Sequence, residues 1–450
     1  MHTACMVQRS DSVQQNLELA VAHVVPAPGR EPWTYGWAYE DYRHSGNAAF
    51  DGPSGPLSIS TEGLDAFDNA MNALLKEAEV RKRWSGEELW GLLATMTGVA
   101  RGVEDQDAFI RGALRRVREA PQALSVVLIA NVSWSGPPLD VASMVVGHAD
   151  RQFLDEVRRV GGSRLTPDPA LGERWLREQV APRVHDPSSP APVAVAMWGW
   201  GQSTRATEEV ERRVRNLVDL CLLLEPDLEG HELYRRGATN RPGVRGLTLD
   251  RGAVGANLQG PGKLELFSQP LVVQDLSGEA PVHWYGAEPM PLGDLLSQPV
   301  LRQSVVECFG EDPIASRLRV AARWFAESHY ASDYDDAALA LGVALDAMLS
   351  GKDSLPGSAL ADRFAMLESV PEERAERVKK HLSLYKVRSS VAHGGASSSL
   401  SAEFINDFAS EVQWVAQRLL AFRVQFAPAA ESDIRACFDE LRWGIRTWST

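Results

Sequence analysis

The chain has 450 residues and a formal net charge of -14 at pH 7, with 44% hydrophobic and 24% charged residues. This length predicts two or three domains, and the composition is that of a folded chain, not a disordered one. The acidic balance excludes nucleic-acid binding through a positive field over the whole surface. Any RNA contact therefore needs a local basic cluster.

The four cysteines, Cys5, Cys221, Cys308 and Cys437, lie far apart and form no C-x-x-C pair. That spacing argues against a zinc site and against a disulfide framework, and it favours reduced thiols. The first ten residues lack the apolar segment of a secretory signal, and no apolar run approaches the roughly 18 residues that span a bilayer. We therefore expect a cytoplasmic protein with no membrane partner.

The first 310 residues combine helical and strand patterns, which predicts an α+β region. Residues 1–60 show little periodicity, and proline, glycine and aromatic residues punctuate them, so we expect short strands or irregular structure there. Residues 237–262 hold seven glycines and predict a loop or hairpins. Helices are predicted at 61–83, from 85 onward, at 106–119, 150–160 and 204–224 and within 292–308, and strands at 124–134, 193–200 and 264–273.

Residues 311–450 predict an antiparallel helical bundle, because only short loops separate consecutive helical patterns. Gly351 and the pair Gly394-Gly395 are placed as helix stops, and Ser401 is placed as an N-cap. The predicted fold class is therefore mainly α, with an α+β region before the C-terminal bundle. The helices of the bundle are predicted at 314–328, 333–350, 360–367, 372–393, 402–426 and 432–443.

In three arginine–histidine pairs, four to six residues separate the arginine from the histidine. Chance gives about this number of pairs in a chain with 39 arginines and 10 histidines. Local context distinguishes one pair, because Arg388 and His393 lie at the end of a long predicted helix, directly before a glycine stop. The other two pairs lie on the first helix of the predicted bundle and early in a later helix. They are Arg323 with His329 and Arg374 with His381.

The segment Leu384–Gly394 reads LYKVRSSVAHG, and Leu341–Asp346 on an earlier predicted helix reads LGVALD. Both segments resemble motifs of the HEPN family, especially its Apea-like subgroup, with Asp346 where the family usually has glutamate. The resemblance covers about residues 313–428. It implies a helical bundle that cleaves RNA without a metal ion or other cofactor, usually as a homodimer. It also implies that Arg388 and His393 are the catalytic residues.

At about 100° per residue, the helix that carries these residues has an apolar side and a polar side. Arg388 lies at the edge of the apolar side, so its stem packs at the core margin while its head reaches round. Because Arg388 and His393 are about 140° apart, one straight helix does not bring them into contact. Either the glycine stop lets His393 leave the helix, or a second protomer completes the site. The apolar side comprises Leu384, Val387 and Val391, and the polar side comprises Lys386, Ser390 and His393.

Histidine and arginine have the chemical properties that RNA cleavage requires. Histidine titrates near neutral pH and acts as base or acid, and arginine binds phosphate oxygens in bidentate geometry. Both suit attack of the RNA 2′-OH on the adjacent phosphorus, which leaves a 2′,3′-cyclic phosphate and a 5′-OH. Lysines supply the local basic strip that RNA needs, Tyr385 is expected to hydrogen-bond or stack near the phosphate, and Asp346 is expected to pair with Arg388. The predicted supporting residues are Tyr385, Lys386, Ser389, Asp346, Lys379 and Lys380.

The resemblance further implies an effector of bacterial antiviral defence or of a toxin system. Residues 1–310 would then form a sensing region for a trigger that comes from a phage or from the host. Two alternatives stay open. The first is a non-catalytic HEPN-like module that binds RNA or a protein. The second is a helical scaffold in which Arg388 has a structural role only.

Overall fold

The computed structural model describes most of the chain, in fourteen segments. The described residues are 2–26, 48–52, 55–119, 122–130, 132–161, 193–200, 203–225, 243–247, 251–258, 264–270, 289–331, 333–351, 355–393 and 400–448. The predicted helix stop at Gly394-Gly395 lies outside them. These described residues are mostly helical, which agrees with a mainly α fold class.

The chain divides into two compact units, each built from several chain segments. Unit 1 comprises Met1–Val126, Met197–Val210 and Gly246–Leu276. Unit 2 comprises Val127–Ala196, Glu211–Arg245 and Ser277–Thr450.

Unit 1 packs helices around a single apolar core and carries two small sheets. One sheet has the order β1-β3-β2, with both neighbouring pairs antiparallel, and the other is the antiparallel pair β9–β10. Its helices are α1 (His2–Ala22), α2 (Thr61–Lys76), α3 (Ala78–Arg83), α4 (Gly86–Ala100) and α5 (Gln106–Glu119). Its strands are β1 (Val24–Pro26), β2 (Ala48–Gly52), β3 (Gly55–Ile59), β9 (Arg251–Leu258) and β10 (Leu264–Pro270).

Two predictions for unit 1 need correction. The N-terminal helix α1 was not predicted, although Val13, Leu17 and Val21 recur every four residues and are buried. The predicted helix over 61–83 is two helices, because the chain is extended at Glu77 (φ -71°, ψ 118°). Its start is confirmed, since the Ser60 side chain accepts a hydrogen bond from the Gly63 N–H at 3.2 Å, as an N-cap does.

A five-stranded sheet has the order β5-β6-β7-β4-β8, and it lies mainly within the residues of unit 2. The strands are β4 (Gln122–Ala130), β5 (Leu139–Val141), β6 (Met144–His148), β7 (Val193–Trp200) and β8 (Gly243–Leu247). The helices α6 (Arg151–Gly161) and α7 (Ser203–Leu224) follow β6 and β7 in the chain. These bounds confirm the predicted strands at 124–134 and 193–200 and both predicted helices, within a few residues at each end.

The C-terminal part of unit 2 is entirely helical within its described residues, as predicted. Asp333 and Ser401 cap their helices through side-chain oxygens, and Gly351 ends one with a positive φ of 64°. The helices are α8 (Leu292–Ser297), α9 (Pro299–Cys308), α10 (Pro313–His329), α11 (Tyr334–Ser350), α12 (Gly357–Met366), α13 (Arg374–Ala392), α14 (Ala402–Phe426) and α15 (Glu431–Arg442), with a 3-10 turn at Pro371–Glu373 before α13.

The carbonyl groups at the C-terminal end of α11 are satisfied by buried arginines. Arg317 Nη1 donates to the carbonyls of Met348 and Leu349 at 3.0 and 3.3 Å, and Arg363 Nη1 donates to Leu349 at 2.7 Å. Arg317 also pairs with Glu431 through both its Nε and its Nη2. The end of α11 is therefore fixed by charge-assisted hydrogen bonds inside the core.

The predicted domain boundary between 310 and 311 does not coincide with the border of the compact units. Residue 310 lies inside unit 2, which also holds the second half of α7. Side chains of α14 explain this association. Gln413 Nε2 donates to the carbonyls of Leu222 and Glu225, and Gln417 Nε2 donates to Leu224 at 2.8 Å.

Three of the four cysteines have described side chains, and Cys221, Cys308 and Cys437 are buried free thiols. Burial raises the pKa of the Cys308 thiol to about 12, so this thiol is protonated near neutral pH. Among the helices of the described segments, none combines the length and the apolar character that crossing a membrane requires.

Candidate functional site

Helix α13 carries the predicted catalytic pair, and it is the most exposed of the long helices around it. His381 and Leu384 are its two buried residues. Val387 and Val391 are half-buried, whereas Lys386, Ser390 and His393 are exposed, which confirms the predicted apolar and polar sides. The helix therefore lies on the surface of unit 2 with one side against other helices.

The Arg388 side chain packs against α11 and pairs with an acid there. Its Nη2 lies 2.7 Å from Oδ2 of Asp346, which confirms the predicted partner. Gly342 makes this approach possible, because a Cβ at that position would overlap Cγ of Arg388 and lie 3.0 Å from its Cδ. The glycine one turn before Asp346 thus provides the groove in which the arginine stem lies.

Neither partner of this ion pair is fully satisfied. The side chains of Arg388 and Asp346 are 27% and 22% exposed. Burial raises the pKa of Asp346 above its ordinary value, and the positive charge of Arg388 opposes that rise. Nε of Arg388 is buried and has no hydrogen-bond partner within the described part of the chain.

A row of side chains continues from Arg388 along the buried side of α13. The Arg388 Cζ atom lies 5.8 Å from the Tyr385 ring centre, and the His381 ring stacks on Tyr385 with centres 6.2 Å apart. Tyr385 also lies against Gly357, where a Cβ would come within 3.0 Å of the ring, and His381 lies 5.4 Å from the Phe364 ring. The Tyr385 ring therefore packs against protein groups, and its expected role in hydrogen bonding or stacking near a phosphate stays a prediction.

His381 is the buried end of this row, although sequence context did not favour its pair with Arg374. It is 1% exposed, and burial lowers its pKa to about 4, so the ring is neutral near neutral pH. Its Nδ1 has no hydrogen-bond partner among the described residues. The spacing of four and seven residues from His381 to Tyr385 and Arg388 was the available sequence signal.

His393 ends α13 on the opposite side from Arg388. It is the C-cap residue (φ -95°, ψ 14°), and its N–H donates to the carbonyls of Ser389 and Ser390. Its ring is exposed. The helical pitch is kept up to Ala392, so the two predicted catalytic side chains point to different sides of one helix, and no hydrogen bond joins them.

The predicted basic strip is weaker than the sequence suggested. Lys379 Nζ pairs with Glu376 of the same helix at 2.6 Å. Lys380 Nζ pairs with Asp407 at 2.5 Å, because α14 brings this acidic side chain next to α13. Lys386 is exposed, and no ion pair joins it to any described residue. Of the three lysines, Lys386 alone therefore offers an uncompensated charge beside His393.

The structure also separates the predicted pair from the two rejected ones. His329 is 2% exposed, while Arg323 is exposed on the same helix. Arg374 is half-buried, and its Nε donates to the carbonyl of Glu368 at 3.1 Å. Both rejected pairs thus combine an arginine with a buried histidine, and of the three histidines in these pairs only His393 is exposed.

Two further features bear on the kind of site. No group of three or more His, Cys, Asp or Glu side chains suited to a metal ion occurs among the described residues. An open cleft of about 460 Å³ lies between α12 and α15 and is lined by Arg363, Phe438 and Arg442 among others. None of the eight predicted site residues lines this cleft.

Comparison with known proteins found no relative of this chain. No family model matches the chain, and neither a curated protein nor a solved structure matches it.

Proposed function

We propose that this protein is a metal-independent, HEPN-type endoribonuclease, whose catalytic residues are Arg388 and His393. The observation that carries the proposal is the C-terminal end of α13, which bears a half-buried arginine, an exposed histidine and an exposed lysine that forms no ion pair with a described residue. The same segment resembles the HEPN motif in its sequence. Arginine suits phosphate binding and histidine suits proton transfer near neutral pH.

In the proposed reaction the His393 imidazole removes the proton of an RNA 2′-OH, and the 2′ oxygen attacks the adjacent phosphorus. The bond to the 5′ oxygen breaks, and that oxygen takes up a proton, which leaves a 2′,3′-cyclic phosphate and a 5′-OH. Arg388 binds the non-bridging oxygens and stabilises their charge in the transition state. Lys386 contributes attraction for the RNA backbone.

The proposed active unit is a homodimer, because one chain holds Arg388 and His393 on different sides of α13. Arg388 of one copy would then act with His393 of the other. Mixing Arg388→Met chains with His393→Ala chains tests this arrangement. Hybrid dimers would regain one intact site, whereas a site confined to one chain would stay inactive in every mixture.

Cleavage itself is tested with total RNA in EDTA, followed by analysis of the fragment ends. The wild-type chain is expected to leave cyclic phosphate and 5′-OH ends, and His393→Ala is expected to leave the RNA intact. Ser390→Ala is a matched control, because Ser390 is exposed on the same side of α13. Equal cleavage by wild-type and His393→Ala chains would contradict the role of His393.

A binding module without catalysis is the second candidate function, and the separation of Arg388 and His393 favours it. That candidate predicts RNA or protein binding that persists in the His393→Ala variant, with no cleavage by either chain.

The biological setting belongs to the proposed ribonuclease function. Residues 1–310 sense a phage or host trigger and restrain a cytoplasmic RNase of antiviral defence or of a toxin system.

A further inference from the structure

Arg388 has more hydrogen-bond donors than the fold satisfies. A guanidinium carries five N–H donors in a planar fork. One nitrogen, Nη2, reaches Asp346 at 2.7 Å, while Nε is buried and unpartnered within the described residues. An unpaired buried donor destabilises the arrangement that holds it, and native structures keep such groups where a ligand or another function requires them.

The acid of the pair is equally incomplete. Asp346 is about three-quarters buried, and its carboxylate loses hydration there without a second cationic partner, so its pKa is raised. By contrast, a carboxylate in bidentate contact with an arginine accepts two parallel N–H bonds. The contact between Arg388 and Asp346 is therefore a weak one for both groups.

We infer that Asp346 masks Arg388 in the resting chain and that an RNA phosphate displaces the carboxylate on binding. The inference rests on the proposed function, because it takes RNA as the ligand of Arg388. A phosphodiester offers two non-bridging oxygens to the guanidinium fork, so it satisfies donors that the single carboxylate oxygen leaves unpaired.

The packing makes this exchange local. The stem of Arg388 is confined against Gly342, while its head lies at the exposed edge of α13 and is partly open to solvent. Rotation about the outer torsions of the side chain moves the head away from Asp346 without moving either helix. The ion pair thus sets a threshold for RNA binding at the site and does not hold the bundle together.

The test compares RNA affinity in the full chain. Fluorescence anisotropy measures Kd for the wild-type and Asp346→Asn chains with an end-labelled, single-stranded 2′-O-methyl RNA of mixed sequence, which lacks the 2′-OH that the proposed reaction requires. Masking predicts that Asp346→Asn binds about two- to fivefold more tightly, the range for losing one partly exposed ion pair. Asn keeps the shape of Asp, so the helix packing is retained.

A matched control removes the same charge elsewhere in unit 2. Asp362 pairs with Arg442 at 3.1 Å, and Asp362→Asn frees that arginine in the same chemical way. Masking predicts no comparable gain in this variant. It also predicts that Arg388→Met abolishes the gain of Asp346→Asn in the double variant, because the gain acts through Arg388.

The outcomes separate this inference from the proposed function. Weaker or unchanged binding by Asp346→Asn would overturn masking, and weaker binding would make Asp346 a positioning residue for Arg388. If Arg388→Met binds RNA as wild type does, with the same dependence on salt, both the inference and the role of Arg388 fail. Loss of affinity in Arg388→Met without a gain in Asp346→Asn would leave the proposed function standing and reject masking alone.

Discussion

Arg317 and Arg388 both contact helix α11, and the contrast between these two arginines separates structure from function. At the C-terminal end, Arg317 is buried, donates to two carbonyls and pairs with the Glu431 carboxylate through two nitrogens. Nearer the middle, Arg388 makes one ion pair, leaves Nε unpartnered and keeps its head partly exposed. A fully satisfied guanidinium has no capacity left for a ligand, whereas the incompletely satisfied one does.

Each arginine also lies against a glycine of this region. A Cβ on Gly351 would lie 2.6 Å from Cζ of Arg317, and a Cβ on Gly342 would overlap the stem of Arg388. The first glycine admits a buried head group, and the second admits the aliphatic stem of a side chain that is 27% exposed. The two glycines therefore let the backbone accommodate the buried charge of Arg317 and the partly exposed charge of Arg388.

The largest effect is expected for Arg317→Met. It leaves the Met348 carbonyl and the Glu431 carboxylate without their donor, while the Leu349 carbonyl keeps only Arg363, so we expect a loss of about 3–5 kcal/mol in the free energy of unfolding. Urea denaturation measures this change. A loss below about 1 kcal/mol would show that the two arginines do not differ as described.

A pH series probes the buried side of α13, which His381 shares with Arg388. The folded pKa of His381 is about 4 against an ordinary value of 6.5, so the unfolded chain binds more protons between these values. Stability contributed by the neutral ring is present above about pH 6.5 and lost as the pH falls towards 4. The expected loss is up to about 3 kcal/mol.

The matched variant for this series is His381→Leu, which has no titrating group at the position. Subtracting its unfolding curve from that of the wild type removes the carboxylates that titrate in the same range. If the difference between the two curves does not change with pH, His381 is open to solvent and the side of α13 that carries it is not buried.

Gly342→Ala tests the groove for the Arg388 stem. The added Cβ would overlap Cγ of Arg388, so we expect a loss of about 1–3 kcal/mol together with weaker RNA binding. Gly112→Ala in α5 is the control, because a Cβ there meets no atom within 4 Å and alanine favours a helix. Equal stability of both variants would argue against a fitted groove.

The smallest effect on stability is expected for Arg388→Met. The apolar stem is kept, and one partly exposed ion pair is lost, so the free energy of unfolding should change by no more than about 1 kcal/mol. Thermal or urea unfolding measures it. A loss as large as that of Arg317→Met would assign Arg388 to the structural role.

Much of the helical part could be predicted from sequence. Ser401 and Gly351 signal helix ends through local hydrogen bonds and backbone conformation, and the structure confirms both. Helix α1 was missed because its buried positions, Val13, Leu17 and Val21, lie in an otherwise polar segment. The break at Glu77 has no glycine or proline to mark it.

The candidate site was predictable only where one helix determines it. Helical pitch places Arg388 and His393 on different sides, and the motif suggested Asp346 as a partner. Pairing of Lys380 with Asp407 could not be read from the sequence, because it depends on how α14 packs beside α13. The unpartnered Nε of Arg388 likewise depends on the packing of α11.

The central claim is tested most directly by the rate of RNA cleavage in EDTA for wild-type, Arg388→Met and His393→Ala chains of verified stability. We expect cleavage by the wild type with cyclic phosphate ends, and a loss of at least about a hundredfold in each variant without unfolding. Undiminished cleavage by folded Arg388→Met, or no cleavage by the wild type with unchanged RNA binding in both variants, would contradict it.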